Sequence, residues 1–310
     1  MKDGLKLMVL GAGPHGRGFH MPALARYRRM KPGRIASVLV CDLNPGRAVS
    51  AARAHGFEET ASDLDAVLDD WRPDAAMVLT PVRATLPVSR QVIEAGIAAL
   101  VEKPPGATVA EAEELFALSL RAAAPVMVSM NRRFDPVLQS AMNRMEGRTP
   151  AYLRVTFARE NRTEDNFLTG TALHGIDALR MLGGDIVEES LRWRVATFRF
   201  VSGAVGCFEI LPACGANAER YEISGNGFHG VAKTCFYDDG ELRWTESGSR
   251  PELEIHRAPR PAWELDGTMA ETVEFIDAVV AENRAPRPSP ADVIQSVHIA
   301  HRLSETPEFI

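Results

Sequence analysis

An acid and a lysine, Glu102 and Lys103, directly follow a run of four apolar residues at positions 98–101. The apolar run predicts a buried strand of a parallel sheet, because such strands are covered by helices on both faces. The two charged side chains would then lie at the carboxyl end of the strand, where ligands bind in an open α/β sheet. Two prolines come next and cannot continue a sheet ladder, so we expect them to hold Lys103 in a rigid turn. A lysine held there can exchange a proton and stabilise a developing oxyanion.

A glycine pattern, GAGPHG, separates another apolar run from a helical stretch near the start of the chain. This order of strand, glycine turn and helix is the one that a dinucleotide site requires. Gly11 permits a tight turn, Gly13 lets the backbone approach a pyrophosphate, and Gly16 allows the helix to pack closely on the strand. The helix N–H groups would bind the phosphates, and Pro14 and His15 belong to the same turn. A glycine-rich connection without a ligand is the alternative interpretation.

Asp42 follows a third apolar run, at residues 35–41, and stands where the ribose-binding acid of such a site is expected. A carboxylate there accepts a hydrogen bond from the 2′-hydroxyl of the adenosine ribose and repels a 2′-phosphate. The sequence therefore favours NAD over NADP as cofactor. Arg34 or Arg47 would reverse that preference if either side chain reached the site. A simple strand-end cap is the alternative role for Asp42.

Strands and helices alternate through the first 130 residues, which predicts a doubly wound parallel sheet over residues 1–130. From residue 131 the pattern changes to longer alternating strands joined by short connections. We therefore expect residues 131–310 to form a second α/β domain with an open, predominantly antiparallel mixed sheet. Elements predicted within it include strands at 191–196 and 231–237 and helices at 171–182, 268–282 and 291–304.

The composition limits the partners, the cellular location and the metal sites that we expect for this protein. The 310 residues carry 35 basic and 41 acidic side chains, and the formal charge of −6 gives no electrostatic reason to expect a nucleic acid or an anionic membrane as partner. No apolar run reaches membrane-spanning length and the N-terminus lacks a secretory apolar core, so we expect a cytoplasmic protein. The four cysteines have no close metal-ligand spacing, and His20 and the other histidines outside the motifs show no ligand-like clustering. No metal site is predicted.

Seven short motifs follow one another along the chain: GAGPHG with Asp42, Thr80-Pro81, Glu102-Lys103-Pro104, the segment 131–136, LHGIDALRMLGG, YEISGNG and FIDAVV. In this order they resemble the glucose-fructose oxidoreductase, inositol dehydrogenase and MocA (Gfo/Idh/MocA) family, and the resemblance covers nearly the whole chain. It implies an N-terminal Rossmann domain and a C-terminal domain whose open sheet is often used in oligomer contacts. It also implies nicotinamide-dependent redox chemistry on sugars, polyols or related small molecules.

The resemblance implies roles for individual residues. Lys103 and His174 match the catalytic lysine and the catalytic histidine, the latter on the helix that faces the cofactor. Arg133 and Asp177 are candidate substrate contacts. The residues that match the family's cofactor contacts, besides the glycine turn and Asp42, are Thr80, Pro81, Glu102 and Lys103.

The chain departs from the family pattern at Gly170, four residues before His174. Relatives commonly have an aspartate there, which forms part of the acid/base set. Its loss removes a proton-relay partner and puts the usual polyol oxidation mechanism in doubt. Glu160, Glu164 or Asp165 in the preceding loop could substitute for it. The two further departures replace a common histidine and a common aromatic residue, at Thr85 and Arg132.

The sequence thus predicts an enzyme that transfers a hydride between NAD(H) and a hydroxyl or carbonyl carbon of a small sugar- or polyol-like substrate. Hydride leaves a carbinol carbon only as the hydroxyl proton is removed, and Lys103 and His174 are suited to exchange that proton. A homo-oligomer, dimer or tetramer, is expected through the C-terminal sheet. The missing aspartate motivates one alternative, a cofactor-binding regulator without turnover, and a redox-assisted glycosidase with tightly held NAD is another.

Overall fold

The computed structural model of the chain describes residues 4–162, 164, 166–192, 194–234, 239–256, 261–281 and 284–306. The chain divides into two units, the first made of Met1–Met130 with Thr268–Ile294 and the second of Asn131–Gly267 with Gln295–Ile310. The division expected from the sequence differs from this one at residues 268–294, which lie in the first unit.

The first unit is built on a parallel sheet of six strands. The strands are β1 Leu5–Leu10, β2 Ile35–Cys41, β3 Glu59–Ala61, β4 Ala75–Val78, β5 Ala98–Val101 and β6 Val126–Val128. Their order in the sheet is β3-β2-β1-β4-β5-β6, and each neighbouring pair is parallel. Leu7, Val9 and Leu100 are fully buried, as expected for strands covered on both faces. The predicted doubly wound sheet is confirmed, although the short strand β3 was not predicted.

Helices join successive strands of this sheet. They are α1 Met21–Met30, α2 Pro45–His55, α3 Leu64–Ala66, α4 Val82–Glu94 and α5 Val109–Leu120, with π-helical segments at Gly16–His20 and Val67–Trp71. Asn44 caps α2 by accepting a hydrogen bond from the Arg47 N–H at 3.1 Å. Thr108 caps α5 in the same way, accepting from the Glu111 N–H at 3.2 Å. Side-chain caps therefore fix the starts of these two helices.

The second unit is built on a sheet of eight strands. The elements of residues 131–267 are α6 Pro136–Arg144, β7 Pro150–Ala158, α7 Leu173–Gly183, β8 Ile186–Arg192, β9 Val195–Phe200, β10 Val205–Leu211, β11 Ala218–Gly225, β12 Phe228–Lys233, β13 Gly240–Glu246, β14 Glu252–His256 and α8 Ala262–Leu265. The strand order is β14-β13-β12-β11-β7-β10-β9-β8. Only β7 and β10 pair in parallel, and the other neighbours are antiparallel. The predicted mixed, mostly antiparallel sheet is confirmed.

Two helices complete the chain, α9 Thr268–Ala281 and α10 Pro290–Glu305. Helix α9 packs on α1, where Phe275 and Ile276 are fully buried. Asp277 accepts a hydrogen bond from the Tyr27 hydroxyl at 2.6 Å. These contacts are why residues 268–294 belong to the first unit. Among the helices of the described residues, none is both long and apolar enough to cross a membrane.

Two strand predictions need correction. The single strand predicted at 191–196 is wrong, because β8 ends at Arg192 and β9 begins at Val195 as its antiparallel partner. The chain reverses there, and Arg194 adopts a φ of 61°, a left-handed conformation common in tight turns. The strand predicted at 231–237 begins earlier, at Phe228, and ends at Lys233, while residues 235–237 lie outside the described residues.

Candidate functional site

The glycine turn begins at Gly11, whose φ of +95° favours glycine. A Cβ atom at this position would lie 2.7 Å from the carbonyl oxygen of Leu79, so a side chain would also collide with the backbone that follows β4. Gly13 differs, because a Cβ there would meet no described atom within 4 Å. The turn therefore leaves open space at Gly13. The glycine pattern predicts that a pyrophosphate approaches the backbone at this position.

Replacing Gly13 by alanine tests this space directly. The added methyl group has room in the cofactor-free protein but would stand where the pyrophosphate approaches, so NADH should bind about tenfold or more weakly. The matched control is Gly18→Ala, since a Cβ at Gly18 also meets nothing within 4 Å. We expect the control to keep native NADH affinity in fluorescence titrations and both variants to keep native thermal stability. Equal NADH affinities in the two variants would contradict the assignment.

Asp42 lies directly after β2 and is held against the glycine turn. Its Oδ2 accepts a hydrogen bond from the Ala12 N–H at 2.8 Å, and its Oδ1 accepts one from the Asn44 N–H at 2.8 Å. Each carboxylate oxygen has a further lone pair, so the fixed side chain can still accept from a ribose hydroxyl. The geometry fits the ribose-binding acid of a dinucleotide site.

The carboxyl ends of β4 and β5 meet the glycine turn at the same edge of the sheet, which we call the carboxyl edge. Thr80 is half-buried just after β4, and Pro81 is exposed before α4. The Glu102 N–H donates to the Val78 carbonyl at 2.9 Å, which ties the end of β5 to β4. Lys103 is half-buried and its peptide bond to Pro104 is cis. The cofactor residues expected from the sequence therefore lie together in the first unit.

Two histidines contact the Glu102 carboxylate. His20 Nε2 hydrogen-bonds Glu102 Oε2 at 3.0 Å, and His15 Nε2 lies 3.6 Å from Oε1. Burial by itself raises the pKa of Glu102, but the His20 hydrogen bond and the positive charges of His15, His20 and Lys103 lower it to about 2. Glu102 is therefore ionised at neutral pH. The expectation that His20 takes no part in a ligand-like cluster was wrong, because the partner lies 82 residues away in sequence.

In the second unit, His174 lies in the first turn of α7 and is 5% exposed. The helix packs on β7 and β10 at a glycine. A Cβ on Gly175 would lie 2.4 Å from the Phe208 ring, so only glycine allows this close approach. The residue next to His174 therefore sets how closely the helix approaches the sheet.

Arg133 and Asp177, both expected to contact substrate, contact each other. The guanidinium donates two hydrogen bonds of 2.7 Å to the two carboxylate oxygens. Asp177 also accepts from the Ser296 hydroxyl at 3.2 Å and is almost fully buried, whereas the Arg133 side chain is 18% exposed. A bidentate pair of this kind fixes the orientation of the guanidinium. Asp177 thus positions Arg133, and Arg133 is the more accessible member of the pair.

Arg132, which stands where the family resemblance implies an aromatic residue, forms an ion pair with a buried carboxylate. Arg132 donates to Glu219 at 2.7 and 3.0 Å, and Arg159 donates to the same carboxylate. Burial raises the pKa of Glu219, but the two arginines lower it below its usual value. Sequence reasoning missed Glu219 and Arg159, because each lies in an ordinary strand pattern without a motif. We refer to Arg132, Arg159 and Glu219 as the buried triad.

Asp135 caps α6 close to this triad. Its Oδ1 accepts hydrogen bonds from the Val137 and Leu138 N–H groups at 2.9 and 3.3 Å, while its Oδ2 has no hydrogen-bond partner among the described residues. The side chain is fully buried. Burial raises the pKa of Asp135 to about 7, against the opposing charge of Arg132 and the two backbone N–H groups.

Asp135→Asn should therefore gain stability relative to the native chain as pH rises. The native carboxyl stabilises the fold fully below its unfolded pKa of about 4, and this contribution is lost as pH rises toward 7. Between pH 5 and pH 8 the difference in unfolding free energy should shift in favour of the variant by roughly 2–3 kcal/mol. Urea unfolding at both pH values measures it. A difference that stays constant with pH would contradict the raised pKa.

Gly170 lies in the π-helical segment Phe167–Ala172 that precedes α7. A Cβ there would meet no described atom within 4 Å, so the position has room for a side chain. Of the acids considered as substitutes, Glu160 and Glu164 are exposed, and Glu164 pairs with Arg162. Asp165 lies outside the described residues.

Known proteins share the Rossmann fold of the first unit. Residues 5–130 match the family described as the oxidoreductase family with an NAD-binding Rossmann fold, GFO_IDH_MocA. D-apiose dehydrogenase of Paraburkholderia graminis is 30% identical over 186 residues, which cover 54% of this chain and 48% of that protein. The chain thus matches about half the length of this curated relative.

Solved structures match over nearly the whole chain. Levoglucosan dehydrogenase in complex with NADH and levoglucosan has a TM-score of 0.82 at 21% identity, covering 98% of this chain and 97% of that one. UDP-N-acetylglucosamine 3-dehydrogenase from Acidithiobacillus ferrooxidans has a TM-score of 0.80 at 20% identity, covering 98% of each chain. At these identities the likeness establishes the shared two-domain fold.

The cofactor residues of the first unit and the match over residues 5–130 point to the same cofactor, NAD. The second sheet matches that of the solved structures. Residues 5–130 thus match the NAD-binding Rossmann domain of the GFO_IDH_MocA oxidoreductase family.

Proposed function

We propose that the protein is an NAD(H)-dependent dehydrogenase or reductase that acts on a hydroxyl or carbonyl carbon of a small sugar- or polyol-like molecule. The observation that carries the proposal is the carboxyl edge, where Lys103 follows β5 at the same edge of the sheet as the glycine turn and Asp42. The relatives support the substrate class, because their names refer to D-apiose, levoglucosan and UDP-N-acetylglucosamine.

The cofactor fits the residues present, since Gly13 leaves the space that a pyrophosphate needs and Asp42 is oriented to accept from a ribose hydroxyl. Bound NAD supplies the acceptor for a hydride in this chemistry. Lys103 Nζ, in its neutral form, takes the hydroxyl proton as the substrate carbon loses its hydride, and it returns a proton in the reverse direction. His174 is its proposed partner in proton exchange, the role that the family resemblance assigns to it. Arg133, oriented by Asp177, is the proposed substrate contact.

The test combines cofactor binding with turnover. NADH and NADPH affinities are measured by fluorescence, and cofactor reduction is then followed across a panel of pentoses, hexoses, anhydrosugars, polyols and nucleotide sugars. We expect NADH to bind more tightly than NADPH, because Asp42 repels a 2′-phosphate. Turnover of at least one panel member that falls in His174→Ala supports the proposal. Turnover of a panel member that His174→Ala leaves unchanged would contradict the role of His174.

One observation favours a second candidate, a cofactor-binding regulator without turnover. The position at Gly170 has room for a side chain but no carboxylate, although the family resemblance implies an aspartate there. Tight NADH binding with no turnover on the whole panel would favour this candidate. Gly170→Asp offers a further comparison, because the site has room for the side chain and the variant restores the family's residue.

The outer face of the second sheet supports a homo-oligomer. Tyr152 on β7, Val195 on β9 and Val205 on β10 are exposed apolar side chains on neighbouring strands. Exposed apolar surface of this kind is typical of contacts between protein chains. A dimer or tetramer through this face is our proposal, and light scattering after size exclusion gives the mass that tests it. Cytoplasmic location remains a prediction from the sequence.

A further inference from the structure

Three side chains of the first unit converge at the carboxyl edge. His20 Nε2 lies 3.0 Å from one oxygen of Glu102, and His15 Nε2 lies 3.6 Å from the other. One potential ligand atom from each of the three residues lies within 4.8 Å of the other two. The two imidazole rings are nearly perpendicular, with centroids 5.4 Å apart, so they approach the carboxylate from different directions. We call these three residues the His-His-Glu cluster.

We propose that the His-His-Glu cluster binds a divalent transition-metal ion of the zinc class when the cofactor is absent. Two imidazole nitrogens and one carboxylate oxygen are a set of three protein ligands that zinc takes in sites with an open fourth position. Zinc–ligand bonds of about 2.0–2.2 Å place neighbouring ligand atoms of a tetrahedral ion roughly 3.3–3.6 Å apart. The observed separations, 3.0 Å from His20 Nε2 to Oε2 and 3.6 Å from His15 Nε2 to Oε1, are close to that range, so side-chain shifts that turn one Glu102 oxygen toward both imidazoles would accommodate an ion.

Burial and access also fit an ion site. The side chains of His20 and Glu102 are 2% and 13% exposed, whereas that of His15 is 50% exposed. Two ligands are thus held in place by the surrounding protein, and the third lies on the solvent side, where an ion can enter. The ligands come from two segments of the chain, because His15 is the N-cap residue of the π-helical segment that His20 ends, and Glu102 follows β5.

The position of the cluster links metal binding to the cofactor. His15 belongs to the glycine turn, and Glu102 belongs to the same edge of the sheet as Asp42 and Thr80. An ion held by His15 and Glu102, together with its open-site water, would occupy space that the dinucleotide uses. We therefore expect the ion and NADH to exclude each other, which would make free zinc an inhibitor that competes with the cofactor. This competition rests on NAD binding at the turn, but it does not depend on which substrate is oxidised.

Direct metal binding is the first test. Tag-free, chelator-treated protein is titrated with Zn²⁺ by calorimetry, and Co²⁺ is added separately to record visible d–d absorption. We expect one ion per chain and a Co²⁺ spectrum of low coordination number. His15→Ala should weaken Zn²⁺ binding at least about tenfold, since loss of a ligand costs no less than loss of an outer-shell partner. The control His229→Ala removes an exposed histidine of β12 and should bind as the native chain does.

Glu102→Gln provides a second variant that keeps the volume of the side chain. Circular dichroism and thermal unfolding confirm that each variant is folded before titration. The proposal is overturned if the native protein binds no Zn²⁺, or if His15→Ala and Glu102→Gln bind it as tightly as His229→Ala does.

Competition is the second test, with NADH fluorescence titrations in the presence and absence of Zn²⁺. We expect Zn²⁺ to raise the apparent Kd for NADH in the native chain and in His229→Ala, and to raise it much less in His15→Ala. An apparent Kd in the native chain that does not change with Zn²⁺ would overturn the exclusion. Failure to bind NADH without metal would instead count against the cofactor site, so the two outcomes are distinguishable.

Discussion

Lys103→Met is expected to lower kcat by roughly 10²- to 10⁴-fold on any substrate that the native protein turns over, the usual contribution of a positioned acid/base group. Methionine keeps an unbranched side chain of similar length at the end of β5, but it can neither accept nor donate the hydroxyl proton. The loss should appear in kcat and kcat/KM alike, because proton transfer occurs only in the transition state. NADH affinity should fall much less than kcat, since the glycine turn and Asp42 are untouched.

Two further variants test whether Lys103 acts by proton transfer or only through its positive charge. Lys103→Arg keeps the positive charge next to Glu102, but a guanidinium does not give up its proton near neutral pH. If proton transfer is the role, Lys103→Arg should be about as inactive as Lys103→Met. Lys233→Met, at a half-buried lysine of β12, is the matched control and should retain native kcat. Near-native turnover in Lys103→Met would overturn the assignment, and activity retained only in Lys103→Arg would show that charge alone matters.

Glu219→Ala is expected to destabilise the protein by about 3–5 kcal/mol, the usual cost of removing one partner from a buried ion pair. The Arg132 and Arg159 side chains are 7% and 1% exposed, and Glu219 is fully buried. Without the carboxylate, two guanidinium groups would remain in the interior without the negative charge that both contact. Each would lose a charge-assisted hydrogen bond and could not regain water.

Urea unfolding followed by circular dichroism measures this effect. Glu222→Ala is the matched control, because Glu222 lies on the same strand, β11, but is only half-buried. Its loss should change the unfolding free energy by less than about 1 kcal/mol. Glu219→Gln keeps the shape and part of the hydrogen bonding and should fall between the two. Equal stabilities for Glu219→Ala and Glu222→Ala would show that the buried triad contributes no net stability.

Much of the fold could be predicted because its signals are local. The apolar runs that became β1, β2 and β5 are contiguous, and the caps at Asn44 and Thr108 act within three residues. The turn between β8 and β9 was missed, because the hydrophobic alternation continues across it. Strand β3 was missed because three residues carry too little pattern to distinguish a strand from a loop.

Only part of the candidate site could be predicted, because here too the sequence carries only local signals. The glycine turn, Asp42 and Lys103 follow from motifs whose spacing along the chain is short and specific. The partners of these residues do not. Ala12 and Asp42 are 30 residues apart, and His20 and Glu102 are 82 apart. The sequence has no periodicity that relates such pairs.

The sequence by itself determined the strand, turn and helix of the NAD-binding edge, because local backbone preference and burial act over a few residues. It also indicated Lys103 and His174 as chemical groups. Only the tertiary structure decided that Arg132 is balanced by Glu219, that Asp177 orients Arg133, and that residues 268–294 return to the first unit. These choices depend on which distant side chains packing brings within hydrogen-bond distance. A buried charge stabilises the fold only when such a partner reaches it, and that partner's identity is a property of the folded chain.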